Sequence, residues 1–101
     1  MEIIEKRTEK TLLLELKGEL DHHGAKEALE KIGYSCDAAL PNHAVLDFAG
    51  VTFMDSSGIA LVMHTQRRMQ LLRGSVTLQN VPAQAMRVFD AAGISKIIKI
   101  L

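Results

Sequence analysis

Apolar positions along this chain switch repeatedly between the two-residue period of a strand and the three-to-four-residue period of a helix. Ile3 to Arg7 and Thr11 to Lys17 are short apolar-rich runs separated by Thr8-Glu9-Lys10, the pattern of two strands joined by a turn. In the second run Leu12, Leu14 and Leu16 alternate with Leu13 and Glu15. Its start is apolar on both faces and so belongs in a sheet interior. Gly18 marks the end of that run. From about Gly24, the residues Ala25, Ala28, Leu29, Ile32, Cys36, Ala39 and Leu40 form one helical stripe, and Pro41-Asn42 stops it. Gly33 inside this helix costs about 1 kcal/mol relative to alanine, so a kink or irregularity is expected there.

Ala44 to Phe48 reads as a short strand, followed by a loop from Ala49 to Asp55. A second helix is predicted from about Ser57 to Leu72. Its first half, Ile59 to Met63, is apolar all round and implies deep packing, while Gln66, Arg67, Arg68 and Gln70 take its far end into water. Arg73-Gly74 ends it, and Ser75 to Gln79 reads as a strand. Pro82 opens a third helix with Ala85, Val88, Phe89 and Ala92 on one face, Gly93 stops it, and Ile97 to Leu101 closes as a short strand. The predicted order is β-β-α-β-α-β-α-β. Alternation after the first pair means parallel strands joined by right-handed crossovers, with one antiparallel strand at the start. The fold class is therefore α/β, a small mixed β-sheet with helices packed on it.

A length of 101 residues fits one domain. Aromatic side chains make up only 4% of the chain, so the core is aliphatic. Twelve basic and twelve acidic residues cancel, which removes the charge-driven case for nucleic acid or a membrane surface. Cys36 is the single cysteine, so neither an internal disulfide nor a zinc site of paired cysteines can form. Met1 to Lys6 is not a signal peptide, and no apolar run reaches membrane-spanning length. A cytoplasmic protein is expected.

The junction Asp55-Ser56-Ser57-Gly58 concentrates the candidate chemistry. Asp and Ser are good helix N-caps, and on local sequence capping is the simpler reading. No capping box supports it, however, because Ile59 and Ala60 stand where Glu or Gln would be. Gly58 permits close backbone approach, and functional loops gather at the carboxyl ends of parallel strands. A serine at a helix start also suits phosphorylation, since N–H groups and the helix dipole can hold the added charge. Glu19 and Asp21 read as a solvated loop with Asp21 near a helix start.

Catalysis is poorly supported. Ser56 lacks a G-x-S-x-G elbow, with Met54 and Gly58 at the flanking positions, and no histidine is singled out as its base. His22, His23, His43 and His64 read as surface or locally hydrogen-bonded residues rather than metal ligands. Cys36 reads as a small core residue. No phosphate-binding glycine loop with its lysine is present, and neither a cofactor nor a metal is expected.

Gly18-Glu19-Leu20-Asp21-His22-His23, Val45-Leu46-Asp47-Phe48, Phe53-Met54-Asp55-Ser56-Ser57-Gly58-Ile59 and Arg87-Val88-Phe89-Asp90-Ala91-Ala92-Gly93-Ile94 together resemble a STAS domain, in order and over nearly the whole chain. Within that family, D-S-S-G marks the antagonists of anti-sigma factors, and G-E-L-D-H-H points to the sigma-F branch of sporulating bacteria. The resemblance implies a single STAS domain over residues 1–101 that is not an enzyme. When unphosphorylated it binds an anti-sigma factor that is also an ATP-bound serine kinase, and so releases the sigma factor. The kinase phosphorylates Ser56, which inactivates the antagonist, and a serine phosphatase restores it. Glu19, Asp21, Met54, Asp55, Ser57 and Gly58 are implied to form the partner interface.

Three features depart from the family pattern. The 101 residues end at Leu101, soon after the last expected strand, where family members often continue into a C-terminal helix; Ser35-Cys36-Asp37 interrupts the polar tail of the first helix, and Arg73-Gly74 stands where a Gly-Gly turn is common. The alternatives are an antagonist or scaffold module of general stress signalling, a STAS domain that binds a small ligand, and a serine hydrolase using Ser56.

Overall fold

The leucine alternation of the second run puts Leu12, Leu14 and Leu16 on one sheet face, all fully buried, and leaves Leu13 half-buried on the other. The computed structural model describes residues 1–101. Its elements are β1 (Glu2–Arg7), β2 (Thr11–Leu20), α1 (His22–Ala39), β3 (His43–Met54), α2 (Ser56–Leu71), β4 (Ser75–Gln79), α3 (Ala83–Ala91), a 3-10 turn (Ile94–Lys96) and β5 (Lys99–Ile100). The strands form one sheet in the order β1-β2-β3-β4-β5, with β1 antiparallel to β2 and every later pair parallel. This is the mixed α/β fold expected from the sequence.

Each parallel strand is added on the same side of the one before. Right-handed crossovers taken in a constant direction deliver all three helices to the same face. Leu12, Leu14, Leu16, Ala44, Leu46, Phe48 and Leu78 therefore meet Ala28, Ile32, Leu61, Val62 and Phe89 in one aliphatic core. Phe48 and Phe89 make an edge-to-face contact with ring centroids 5.5 Å apart, which fixes α3 against β3. No helix is long and apolar enough to cross a membrane.

The opposite face carries no helix and satisfies its polar groups among themselves. His43 bonds the Ser75 hydroxyl at 2.6 Å and the Thr77 hydroxyl at 2.9 Å. Asp47 accepts from the Ala49 N–H and from the side-chain amides of Gln79 and Asn80, each at 2.9 Å.

Five local expectations are corrected. The strand containing Gly18 does not end there: Gly18, with a φ of +115°, sits in the ladder opposite Val51, and β2 runs on to Leu20. Likewise 49–54 is not a loop but the second half of β3, paired with β2 up to Leu20 and Met54. Two irregularities in register let β3 absorb extra residues while Phe48, Val51 and Met54 stay buried. Gly33 does not break α1. Its bare Cα leaves room for the Arg68 guanidinium, which pairs with Asp37 at 2.9 Å and ties α2 to α1. The start of α2 buries a stripe rather than its whole circumference, because only one layer lies beneath it: Leu61 and Val62 are buried, Ile59 and Met63 half-buried, and Ala60 exposed. The closing strand is only Lys99–Ile100, since Gly93 leads from α3 into the 3-10 turn.

Burial alone would raise the Asp47 carboxyl, but the Ala49 N–H, the Gln79 and Asn80 amides and the Lys6 ammonium outweigh it and bring it below the usual carboxylate range. A depressed folded-state value gives stability that is complete above the unfolded value and is lost as pH falls through the folded one. Asp47→Asn is expected to cost about 1–3 kcal/mol at neutral pH, because donors lose their acceptor. Urea midpoints of the two proteins should converge in strong acid, where Asp47 itself is protonated. A gap that stays constant with pH would contradict this role for the carboxylate.

Candidate functional site at the paired ends of β2 and β3

The last residues of β2 and β3, Leu20 and Met54, are partners across the ladder. Each strand then passes through one aspartate into a helix. Asp21 has extended backbone and caps α1, accepting from the Gly24 N–H at 2.8 Å. Asp55, also extended, caps α2 by accepting from the Ser57 N–H at 2.8 Å. Two helix N-termini, with their unpaired N–H groups and positive dipole ends, thus emerge side by side, each neutralised by its own carboxylate. The Asp55 N–H reaches back to the Leu20 carbonyl at 3.4 Å and joins the two junctions.

This arrangement settles which residue caps. Asp55 does so, and Ser56 is the first residue of α2, exposed, with no hydrogen-bond partner within the chain for its hydroxyl. Ser57, one position on, is half-buried. The expectation that vacant helix N–H groups would hold a phosphate on Ser56 is altered by the same geometry, because Asp55 already takes the Ser57 N–H. A phosphate there would face a carboxylate that has arrived first.

Glu19 is exposed, Asp21 and Asp55 are half-buried, and none of the three forms an ion pair within the chain. The sequence grouped Met54 and Gly58 with the surface residues, but both are buried. They support the junction from beneath: a Cβ on Gly58 would overlap the Met54 side chain, so the glycine lets the first turn of α2 settle onto β3.

The structure adds two residues that the sequence did not single out. Phe53, 44% exposed, lies opposite Glu19 in the ladder and gives this acidic surface an apolar member. An aromatic on a strand otherwise read as a loop was the available signal. Gln84, from α3, bonds both backbone groups of Met54, and nothing in its local sequence indicates that. Beside the junction a shallow groove of about 550 Å³ runs between α2 and α3, lined by Ile59, Gln84, Arg87, Val88, Ala91 and Ala92.

His22 and His23 open α1 directly after Asp21, at the margin of the junction, and the other candidates lie elsewhere. His22, His23 and His64 are exposed, and His43 is held by Ser75 and Thr77. Cys36 is fully buried, and that burial pushes its thiol up.

The fold agrees with comparison to known proteins. The sequence pattern of the STAS domain matches residues 2–101. The chain belongs to the STAS domain family, and its relatives place it with the anti-sigma factor antagonists of that family. It is 31% identical over 91 residues to an anti-sigma F factor antagonist of Lysinibacillus sphaericus, covering 90% of this chain and 78% of that one. It is 27% identical over 95 residues to the anti-sigma-B factor antagonist of Bacillus subtilis, covering 94% and 85% of the two chains. The solved structure of the anti-sigma factor antagonist SpoIIAA in its unphosphorylated form superposes with a TM-score of 0.84 at 27% identity, over 99% of this chain and 88% of that one. The phosphorylated form of Bacillus SpoIIAA gives a TM-score of 0.75 at the same 27% identity, over 99% and 91%.

Gly24 provides a test of how tightly the first junction is packed. A Cβ there would overlap the Glu19 carbonyl oxygen, a backbone atom that cannot swing aside. Helix propensity favours alanine over glycine by about 1 kcal/mol, whereas overpacking costs about 1–3 kcal/mol. Gly24→Ala is therefore expected to lower the denaturant midpoint with an unchanged slope. A raised midpoint would show that the junction yields.

Proposed function

We propose that this chain is a phosphorylation-switched antagonist of an anti-sigma factor, of the sigma-F type, and that Ser56 is its switch. The observation that carries this is the state of Ser56: an exposed hydroxyl without an internal partner, on the first turn of a packed helix, beside an aspartate that already caps that helix. The unphosphorylated protein presents Glu19, Asp21, Phe53, Asp55, Ser56 and Ser57 to an anti-sigma factor and thereby frees the sigma factor. SpoIIAA, described in phosphorylated and unphosphorylated forms, supports a role for phosphate in proteins of this fold.

The anti-sigma factor is also a serine kinase in this reading. Its own base takes the proton from the Ser56 Oγ, the oxygen forms a bond to the γ-phosphorus of bound ATP, and ADP leaves with the electrons of the broken bond. This chain supplies only a reachable, well-positioned hydroxyl and is not an enzyme. The product carries about −1.5 to −2 additional charges. They fall next to Asp55 and near Asp21 and Glu19, without a lysine or arginine paired to any of these. Burying that charge against a partner costs desolvation and repulsion, so the complex dissociates. A serine phosphatase removes the phosphate by hydrolysis and returns the protein to its binding form. The Gly18-to-His23 segment and the likeness to the Lysinibacillus relative favour sigma-F over a general stress pathway.

Incubation with the anti-sigma factor of the same genome and Mg-ATP, followed by mass-spectrometric mapping, should place one phosphate on Ser56. Ser56→Ala should take up none while keeping its thermal midpoint. Phosphate on Ser57 would overturn the assignment. Ser56→Asp should weaken binding of the anti-sigma factor about tenfold or more and release less sigma-F in a competition assay. Undiminished binding would contradict the charge mechanism.

A further inference from the structure

β3 outruns β4. The two pair only from His43 with Ser75 to Asp47 with Gln79, and beyond that point one edge of β3 has no strand beside it. Backbone groups on such an edge need other partners when they are buried. At Met54, the last residue before Asp55 and Ser56, one side chain meets that need. The Met54 N–H donates to Gln84 Oε1 at 2.9 Å, and Gln84 Nε2 donates to the Met54 carbonyl at 2.7 Å. A primary amide carries the same donor and acceptor as a peptide group, so Gln84 acts as a one-residue strand in the place β4 has left.

The consequence for Ser56 is geometric. On the β2 side the junction is held by the longer 3.4 Å bond from Asp55 to Leu20, and on the α3 side by the two shorter bonds from Gln84. The backbone of Met54 is thus fixed from both directions, two residues before the hydroxyl that must reach a kinase. Gln84 lies in the first turn of α3 and also lines the groove between α2 and α3.

We propose that Gln84 is a positioning residue for the switch: by closing the free edge of β3 at Met54 it sets where Ser56 is presented. This rests on the reading of Ser56 as phosphoacceptor. Phosphoryl transfer depends on alignment of the attacking oxygen, and a displacement of about 1 Å can cost on the order of a hundredfold in rate.

The test uses the full chain with Gln84→Met, which nearly keeps volume and removes both bonds, and Gln84→Glu, which keeps an acceptor but places a carboxylate against the Met54 carbonyl. Amide hydrogen exchange at Met54 should accelerate about tenfold in Gln84→Met, which has no acceptor for that N–H, and less in Gln84→Glu, which keeps one, with Leu14 and Leu46 unchanged. Phosphorylation by the kinase and Mg-ATP should show kcat lowered about tenfold at nearly constant KM. The proposal is overturned if Met54 exchange is unaltered, or if it accelerates while kcat holds. If one variant fails to fold, the other decides. If wild-type protein takes no phosphate on Ser56, the parent reading fails and this proposal with it, whereas wild-type phosphorylation with unchanged variant kinetics removes only the positioning role.

Discussion

The pairing of Leu20 with Met54 is the constraint on which the rest of the site depends. It requires β2 and β3 to continue past the end of β4, and it brings two strand-to-helix junctions to the same level. Because each junction is closed by an aspartate, two positive helix ends and two carboxylates become neighbours without an ion pair to either aspartate. The one-directional order of strands is equally consequential. It places every helix on one face, so α1, α2 and α3 all support the same edge, and the bare face carries its own polar network.

That architecture suits the proposed covalent switch at Ser56. The helix carrying Ser56 is anchored by Leu61, Val62 and Met69 in the core, and its first turn rests on Met54 through Gly58. Rigidity comes from burial below the junction and accessibility from the exposed side above it. The aspartate that stabilises α2 by capping also makes the surface acidic, so in the proposed switch one side chain serves both the fold and the repulsion of phosphate.

Much of this was legible in the sequence. Period-two leucines, the helical stripes and the breakers Pro41, Arg73-Gly74 and Gly93 gave the element order, because those signals are local. The extents of β2 and β3 were not legible. Gly18 read as a stop and 49–55 as a loop, but the ladder holds Gly18 and carries β3 on to Met54, and cross-strand pairing outweighs local propensity. The candidate site was visible as composition, an Asp, two Ser and a Gly ahead of an apolar helix. Its division of labour was not: whether Asp55 or Ser56 caps depends on backbone dihedrals, and the burial of Met54 and Gly58 depends on how α2 sits on β3. Gln84 was invisible because its partner lies 30 residues away.

In the proposed switch, phosphate at Ser56 turns binding off by charge at an already acidic junction. Calorimetric titration of the anti-sigma factor with unphosphorylated and Ser56-phosphorylated protein, at two salt concentrations, measures this directly. The affinity of the phosphorylated form should be at least about tenfold lower, with the difference shrinking as salt screens the charges. Equal affinities for the two forms would contradict it.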